Sequence, residues 1–516
     1  MMNHAMAKRI FPCLALIAVF GAASVRAADP EWPDDAWLKA SAHGNGLHLA
    51  VSEDGKQWRD LDRVFLKPAA GNGAMRDPYL MRGPDGLFRL VWDMGGKGIA
   101  YAASADLVNW SAQRRLPSGA RAAAPALSYD GKTGQYVLAW TSGAGAASRR
   151  HTVTTTDFKS FGKPRVSAPG VPVPANGAGA DGAGEGGALW APPWLVKELA
   201  AAGPGSSGAE PVPAPAPALD GFTADPAIRV FGDTYYLYPT SDKPHWQTTD
   251  FSVWSSKNLV EWKKERMVLD VVRDLKWGNI EAWAPDTIER NGKYYFYFCA
   301  RHEIGVASAD SPTGPFIDAL GKPLLRKGTG IDSNTIDPYP FIDDDGQAYL
   351  YYGNGRLANV YKLNQDMVSV DGPPASIALR DFREGVVVFK RGGKYYFMWS
   401  IDDARSPDYR VGWGVADSPL GPVKSPASNF IVLQRHGAAV GTAHHSIVNV
   451  PGTDRWYVAY HRHALPQGGG YQRQTVLARM EFDSAGNIKP MDPLRVPFKP
   501  GDVGEPIVNG KGLPDR

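Results

Sequence analysis

One phrase recurs along this chain and constrains its fold more than any other feature. "DPAIRVFGDTYYLYPTS" begins at Asp225, "APDTIERNGKYYFYFCA" at Ala284 and "DPYPFIDDDGQAYLYYG" at Asp337. "EGVVVFKRGGKYYFMWS" begins at Glu384 and "HHSIVNVPGTDRWYVAYHR" at His444. Each reads as a strand, a Gly-containing turn and an aromatic strand, which is a hairpin signal. The starts lie roughly 50–60 residues apart, so the hairpin is a repeating unit. A third strand and turn follow each hairpin, as in "FSVWSSKNLVEW" and "VGWGVADSPLGPV". A sheet of three or four short strands cannot bury both faces alone, so such units stack radially into a ring. The fold class expected is therefore all-β, with a five-bladed β-propeller over residues 220–490. In such a ring the residues that open the five hairpins converge on one funnel.

Residues 28–168 repeat this grammar incompletely, for example in "DPYLMRGPDGLFRLVW" and "APALSYDGKTGQYVLAW". They predict a partial propeller-like β domain of about three blades. Three blades leave open faces, so this half is expected to pack against the other or to pair between molecules. Residues 169–219 ("GAGADGAGEGG", "PVPAPAPA") have linker composition, with "LWAPPWLVKEL" inside them as a short helix or docking segment. Residues 491–516 form a Pro- and Gly-rich tail. Residues 1–27 read as a secretory signal peptide, with Lys8 and Arg9 before an apolar run and "VRA" before Ala28. An exported protein, periplasmic or extracellular, is expected.

Cleavage there removes Lys8, Arg9 and Arg26 and no acid, so the net charge of +3 falls to about zero. A neutral body argues against nucleic acid as a partner. No later apolar run is long enough to span a bilayer, so no membrane insertion is expected after cleavage. Of two cysteines only Cys299 remains, which excludes an intramolecular disulfide. Cys299 lies in "YYFYFCA" and reads as a buried small hydrophobe.

The five hairpins are headed by Asp225, the "WAP" around Trp283, Asp337, Glu384 and His444. One funnel would then hold three carboxylates, a tryptophan and a histidine. Glycoside hydrolysis needs such a set: one carboxylate ionised to deprotonate water, another protonated to serve the leaving oxygen. A third acid nearby helps to keep the second protonated, because like charges resist double ionisation.

On these motifs the sequence resembles glycoside hydrolase family 43, closely over about residues 220–490 and in part over about 30–165. The resemblance implies a five-bladed, exo-acting, inverting hydrolase of arabinose- and xylose-containing polysaccharides. It makes Asp225 in "TADPAIRV" the general base, Asp337 in "TIDPYPF" the residue that orients and tunes the acid, and Glu384 in "FREGVVVF" the general acid. His444 in "GTAHHS" matches a histidine that binds a central calcium in many members, with Ala443 in place of the usual second glycine. Arg473 in "YQRQTV" matches an arginine that reaches the sugar and the third-blade Asp. Inversion implies carboxyls roughly 6.5–9.5 Å apart, which leaves room for water. No organic cofactor is implied, and the partner is an oligosaccharide or polysaccharide.

Other residues carry plainer readings. Asp77 heads a good phrase, but no Glu-Gly strand follows in its half, so it reads as structural. "DDDG" at Asp343–Gly346 reads as a hairpin turn, because the later ligands of a calcium loop are missing. His445 should face away from His444. Asp402 and Asp403 read as solvated loop acids at the rim. Trp283 is expected as a stacking wall for the sugar and Trp246 as part of the pocket rim. Among sugars, α-L-arabinofuranose comes first, β-D-xylose second, and β-D-galactofuranose stays open. A non-catalytic carbohydrate-binding propeller is the alternative class, best suited to the N-terminal half. Retaining fructan hydrolases share the fold, but no Asp-Pro phrase here carries their Asn-Asp-Pro-Asn-type motif.

Overall fold

In the computed structural model, residues 36–495 are described, apart from 44–45, 71–72, 144–146, 168–187 and 467. The signal-peptide segment 1–27, most of the tail and the Gly-rich part of the 169–219 segment lie outside the described residues.

Strands dominate, and the expected hairpins form: Thr223–Phe231 with Thr234–Ser241, Trp283–Arg290 with Lys293–Ala300, Tyr339–Ile342 with Ala348–Tyr352, Glu384–Arg391 with Lys394–Ile401, and Ala443–Asn449 with Trp456–His463. Turn chemistry closes them. Asn291 and Gly292 both take positive φ, as do Gly392 and Gly393, which suits two-residue hairpin turns. "DDDG" is a hairpin turn of a longer kind: the Gly346 amide donates to the Asp343 carbonyl, and the Asp343 amide to the Gln347 carbonyl. Four of these sheets have four strands and the fifth has three. Their leading strands contact one another in cyclic order, with Ala443–Asn449 returning against Thr223–Phe231. Sheets flanked on both faces bury whole strands rather than alternate residues. Lys394–Ile401 is buried at every position after its first.

A backbone feature repeats at the head of each leading strand. Asp225, Ala284, Asp337, Gly385 and His444 all have positive φ, between 41° and 61°. In four of the five hairpins the pairing register shifts there, as in a bulge. This corrects the expectation that Asp225, Trp283, Asp337, Glu384 and His444 share one position. Glu384 and Trp283 stand one residue before the bulge residue, whereas Asp225, Asp337 and His444 occupy it. Asp77 and Ala124 in the N-terminal region have the same backbone, but the Asp77 side chain is exposed rather than gathered with other acids.

The N-terminal region forms three further sheets in a row, led by Trp37–His43, Arg76–Arg82 and Ala123–Asp130. From residue 188 on, the segment expected as linker is built into the protein. Leu189–Trp190 pairs with Trp37–Leu38, Ser207–Gly208 pairs in parallel with Trp110–Ser111, and Pro193–Ala201 is a helix. Its apolar residues Leu195 and Leu199 fill the core beneath the first two sheets, which composition alone did not reveal.

This half packs against the five sheets. Ala214 clusters with Ala438, Ala439, Leu465 and Leu494, and Val440 enters the N-terminal core. Arg462 donates from Nη2 to the Pro215 carbonyl at 2.7 Å. A chain starting at residue 220 would expose Ala438–Val440 and Leu465 and strand a buried guanidinium. We expect it to be mostly insoluble, read as the soluble fraction after expression. A soluble, fully active product would show that the interface is dispensable.

Candidate active site

One cleft of about 320 Å3 is lined by all seven residues singled out from the sequence: Asp225, Trp246, Trp283, Asp337, Glu384, His444 and Arg473. That volume is at the low end for a small-molecule site.

Asp225 is almost fully buried yet heavily bonded. Its Oδ1 lies 2.8 Å from Arg473 Nη1, 3.1 Å from His461 Nδ1 and 3.3 Å from His444 Nδ1. Thr240 Oγ1 donates to its Oδ2 at 2.9 Å. Burial pushes this carboxyl up, but Arg473, His444 and His461 outweigh it and hold Asp225 well below the usual carboxylate value. Burial pushes His461 down to about 3, so its ring is neutral near pH 7.

Asp337 is the opposite case. Burial, then the like charges of Glu384 and Asp225, push it well above the usual value. Its Oδ2 has no hydrogen-bond partner among the described residues. Glu384 accepts from Tyr409 Oη at 2.5 Å on one oxygen and from Asn354 Nδ2 on the other. Ligand atoms of Asp337, Glu384 and His444 all lie within 4.8 Å of one another. Burial and these neighbouring charges favour the protonated form of Asp337 beside an ionised Asp225.

The rim is aromatic. Trp283 Nε1 donates to the Trp246 carbonyl at 2.8 Å, and Trp246 Nε1 to the Gly470 carbonyl at 2.7 Å. The two indoles stand edge to face with centroids 6.4 Å apart, and Tyr471 packs on Trp246. Both tryptophans spend their only donor on backbone, which leaves apolar ring surface toward the cleft.

Arg473 departs from the expectation that it reaches Asp337. It forms a bidentate pair with Asp242 (2.8 and 2.7 Å) and bonds Asp225. The cause is its place: Arg473 opens the third strand of the fifth sheet, which packs on the hairpin carrying Asp225 and Asp242. Asp403 is not a solvated acid. It lines the cleft and pairs with Arg383 and Arg405, while Asp402 is exposed as expected. His445 lies beneath His444, lining a small buried space shared with Asp337 and Ser446. Cys299 is fully buried in its strand.

Sequence reasoning missed Asp242, Asn354, Tyr409 and His461. Asp242 ends the first hairpin one residue after "YPTS", and that place was a usable signal. His461 pairs with Ala443 just before the bulge, the place that Thr240 holds opposite Ala224, so the repeat could have marked it; Asn354 and Tyr409 carry no such signal.

The calcium expectation meets a short donor set. Calcium takes six to eight oxygens. Asp337, Glu384 and His444 supply two carboxylates and an imidazole, and both Glu384 oxygens already accept hydrogen bonds. These residues fit calcium only where water fills most of its shell.

Together a buried ionised carboxylate, two further carboxyl groups beside it and an aromatic rim define a glycoside hydrolase. Residues 214–488 match the family described as Glycosyl hydrolases family 43, and the chain belongs to that family. Residues 37–169 match a related family described as a probable glycosyl hydrolase domain. Among curated relatives, Beta-D-galactofuranosidase xynD of Aspergillus niger is 34% identical over 291 residues, covering 54% of this chain and 84% of that protein. Xylosidase/arabinosidase 43A of Humicola insolens is 30% identical over 338 residues, covering 52% and 96%. The crystal structure of a thermostable family-43 glycoside hydrolase superposes with a TM-score of 0.50 at 30% identity, covering 57% of this chain and 98% of that one.

Proposed function

We propose that this protein is an exported, inverting exo-glycosidase built on a five-bladed propeller. It removes a terminal pentose, α-L-arabinofuranose first and β-D-xylose second, from plant-type polysaccharides or oligosaccharides. The observation that carries this reading is the charge asymmetry among three carboxylates in one cleft: Asp225 held ionised, and Asp337 pushed toward its protonated form beside Glu384.

Asp225 orients a water and takes its proton as the water oxygen bonds to the anomeric carbon. Glu384 gives its proton to the departing glycosidic oxygen as that C–O bond breaks. Asp337 keeps the acid supplied through the like-charge coupling. No covalent intermediate forms, so the configuration inverts. Trp283 and Trp246 wall the sugar. Arg473 serves chiefly by fixing Asp225 against Asp242. A water-mediated calcium at His444 is part of this reading, tested by calorimetric calcium titration of chelator-treated protein.

The test is hydrolysis of aryl α-L-arabinofuranoside, β-D-xyloside and β-D-galactofuranoside alongside a natural oligosaccharide, with the product anomer read by NMR. Release of one sugar with inverted configuration supports the reading; no release from any substrate sinks it. The A. niger relative favours β-D-galactofuranose as the second reading, and the same panel decides it.

A pH profile follows from the charges. A carboxylate with a depressed folded-state value stays ionised as pH falls and loses its charge only below that value. The acidic limb of kcat/KM should therefore lie below the ordinary aspartate value of about 3.9. The alkaline limb reports loss of a proton from the acid side of the cleft, where burial and like charge push Asp337 well above the usual value. An acidic limb at pH 5 or above would contradict Asp225 as the base.

A further inference from the structure

Tyr409 joins the acid to the base. Its hydroxyl donates to Glu384, and its fully buried ring stacks on His461 (5.6 Å, 25°), which touches Asp225. Burial and the neighbouring Glu384 push the Tyr409 hydroxyl well above its usual value, so it remains a donor.

The segment that carries Tyr409 is held from the N-terminal region along two routes. In the first, Asp408 lies 3.3 Å from Arg435, and Arg435 is bidentate on Glu198 at 2.6 and 3.1 Å. Glu198 belongs to the helix Pro193–Ala201, and the guanidinium also sits over the ring of Trp194 from that helix. In the second, the Pro407 carbonyl accepts from the Gly441 amide at 3.0 Å. The preceding Val440 is buried in the N-terminal core with Trp194, Leu195 and Leu199. Behind Tyr409 the chain turns tightly, with the Tyr409 amide on the Ser406 carbonyl and the Ser406 amide on the Asp403 carbonyl.

We propose that the N-terminal β region is a positioning element for the catalytic acid, acting from its helix through Glu198, Arg435 and the 406–409 turn to Tyr409 and Glu384. This rests on the glycosidase reading above. Glu198, Arg435 and Tyr409 are positioning residues; none needs to touch the sugar. The Glu198–Arg435 pair is partly exposed, so its own contribution to stability is small. Its effect lies in geometry, because a fixed bidentate fork transmits position and small misplacements of a catalytic group are expensive in rate.

The test uses the full chain and Glu198→Gln, with Tyr409→Phe as the reference. Substrates are an arabinoxylo-oligosaccharide and para-nitrophenyl α-L-arabinofuranoside. Amide hydrogen exchange of residues 406–409 is followed in parallel. Glu198→Gln should lower kcat on the oligosaccharide about fivefold with KM unchanged, and lower the aryl substrate less than about twofold. The same split between the two substrates should appear in Tyr409→Phe, which removes the hydrogen bond to Glu384 outright. Exchange at 406–409 should quicken in Glu198→Gln. Equal losses on both substrates, or quickened exchange with unchanged kcat, would overturn the proposal, as would unchanged exchange. If the wild type cleaves neither substrate, the glycosidase reading fails by itself. Exchange then still reports the coupling: faster exchange confined to this turn upholds it, and unchanged exchange ends it.

Discussion

Asp225→Asn should lower kcat/KM on a natural oligosaccharide by about a thousandfold or more while leaving the protein folded. The amide cannot take a proton from water, and it removes the carboxylate that Arg473, His444 and His461 hold ionised. Three of its neighbours are built for that charge: Arg473, His444 and His461 lie within 3.3 Å of its Oδ1. The fold should survive because Arg473 keeps its bidentate pair with Asp242, so no guanidinium is left buried without a counter-ion. Thr240 can still bond the amide that replaces the carboxylate. Circular dichroism and melting checked beside the kinetics separate the two effects. A folded variant with more than a tenth of wild-type turnover would remove Asp225 from the chemistry.

Glu384→Gln should show a different signature. On an oligosaccharide, whose leaving oxygen is a poor leaving group, the loss should again be about a thousandfold. On an aryl glycoside the loss should be far smaller, because a phenolate needs little help from an acid. The substitution is close to isosteric, and its amide oxygen can still accept from Tyr409. The carboxamide carries no charge to push Asp337 up, so the alkaline limb of the pH profile should change as well. Equal losses on both substrates would mean that Glu384 holds structure or substrate rather than delivering a proton. The two variants thus assign base and acid by independent observables.

The spacing of the Asp-Pro and Glu-Gly phrases was legible because each hairpin is a local unit. Its turn, its aromatic strand and its leading residue all lie within twenty residues or so, so local pattern suffices to find them. That is why Asp225, Asp337, Glu384, His444 and Trp283 could be named in advance and all line one cleft. Trp246 was read from its insertion-like loop, and Arg473 only from the family resemblance.

What pattern could not supply was everything that depends on how one sheet lies against the next. The bulge sets Glu384 one residue out of step with Asp225, and only the paired backbone shows it. Arg473 bonds Asp242 and Asp225 rather than Asp337 because the fifth sheet packs against the first. Tyr409 reaches Glu384 from a turn with no repeated motif. The 188–219 segment has the composition of a tether, yet it pairs, coils and packs. The sequence by itself determined the repeated hairpin and the chemical groups at its head, since both follow from short-range propensity and residue identity. The tertiary structure decided which of those groups is charged, which bears the proton and what holds each in place. Those properties arise from burial and from contacts between residues hundreds of positions apart.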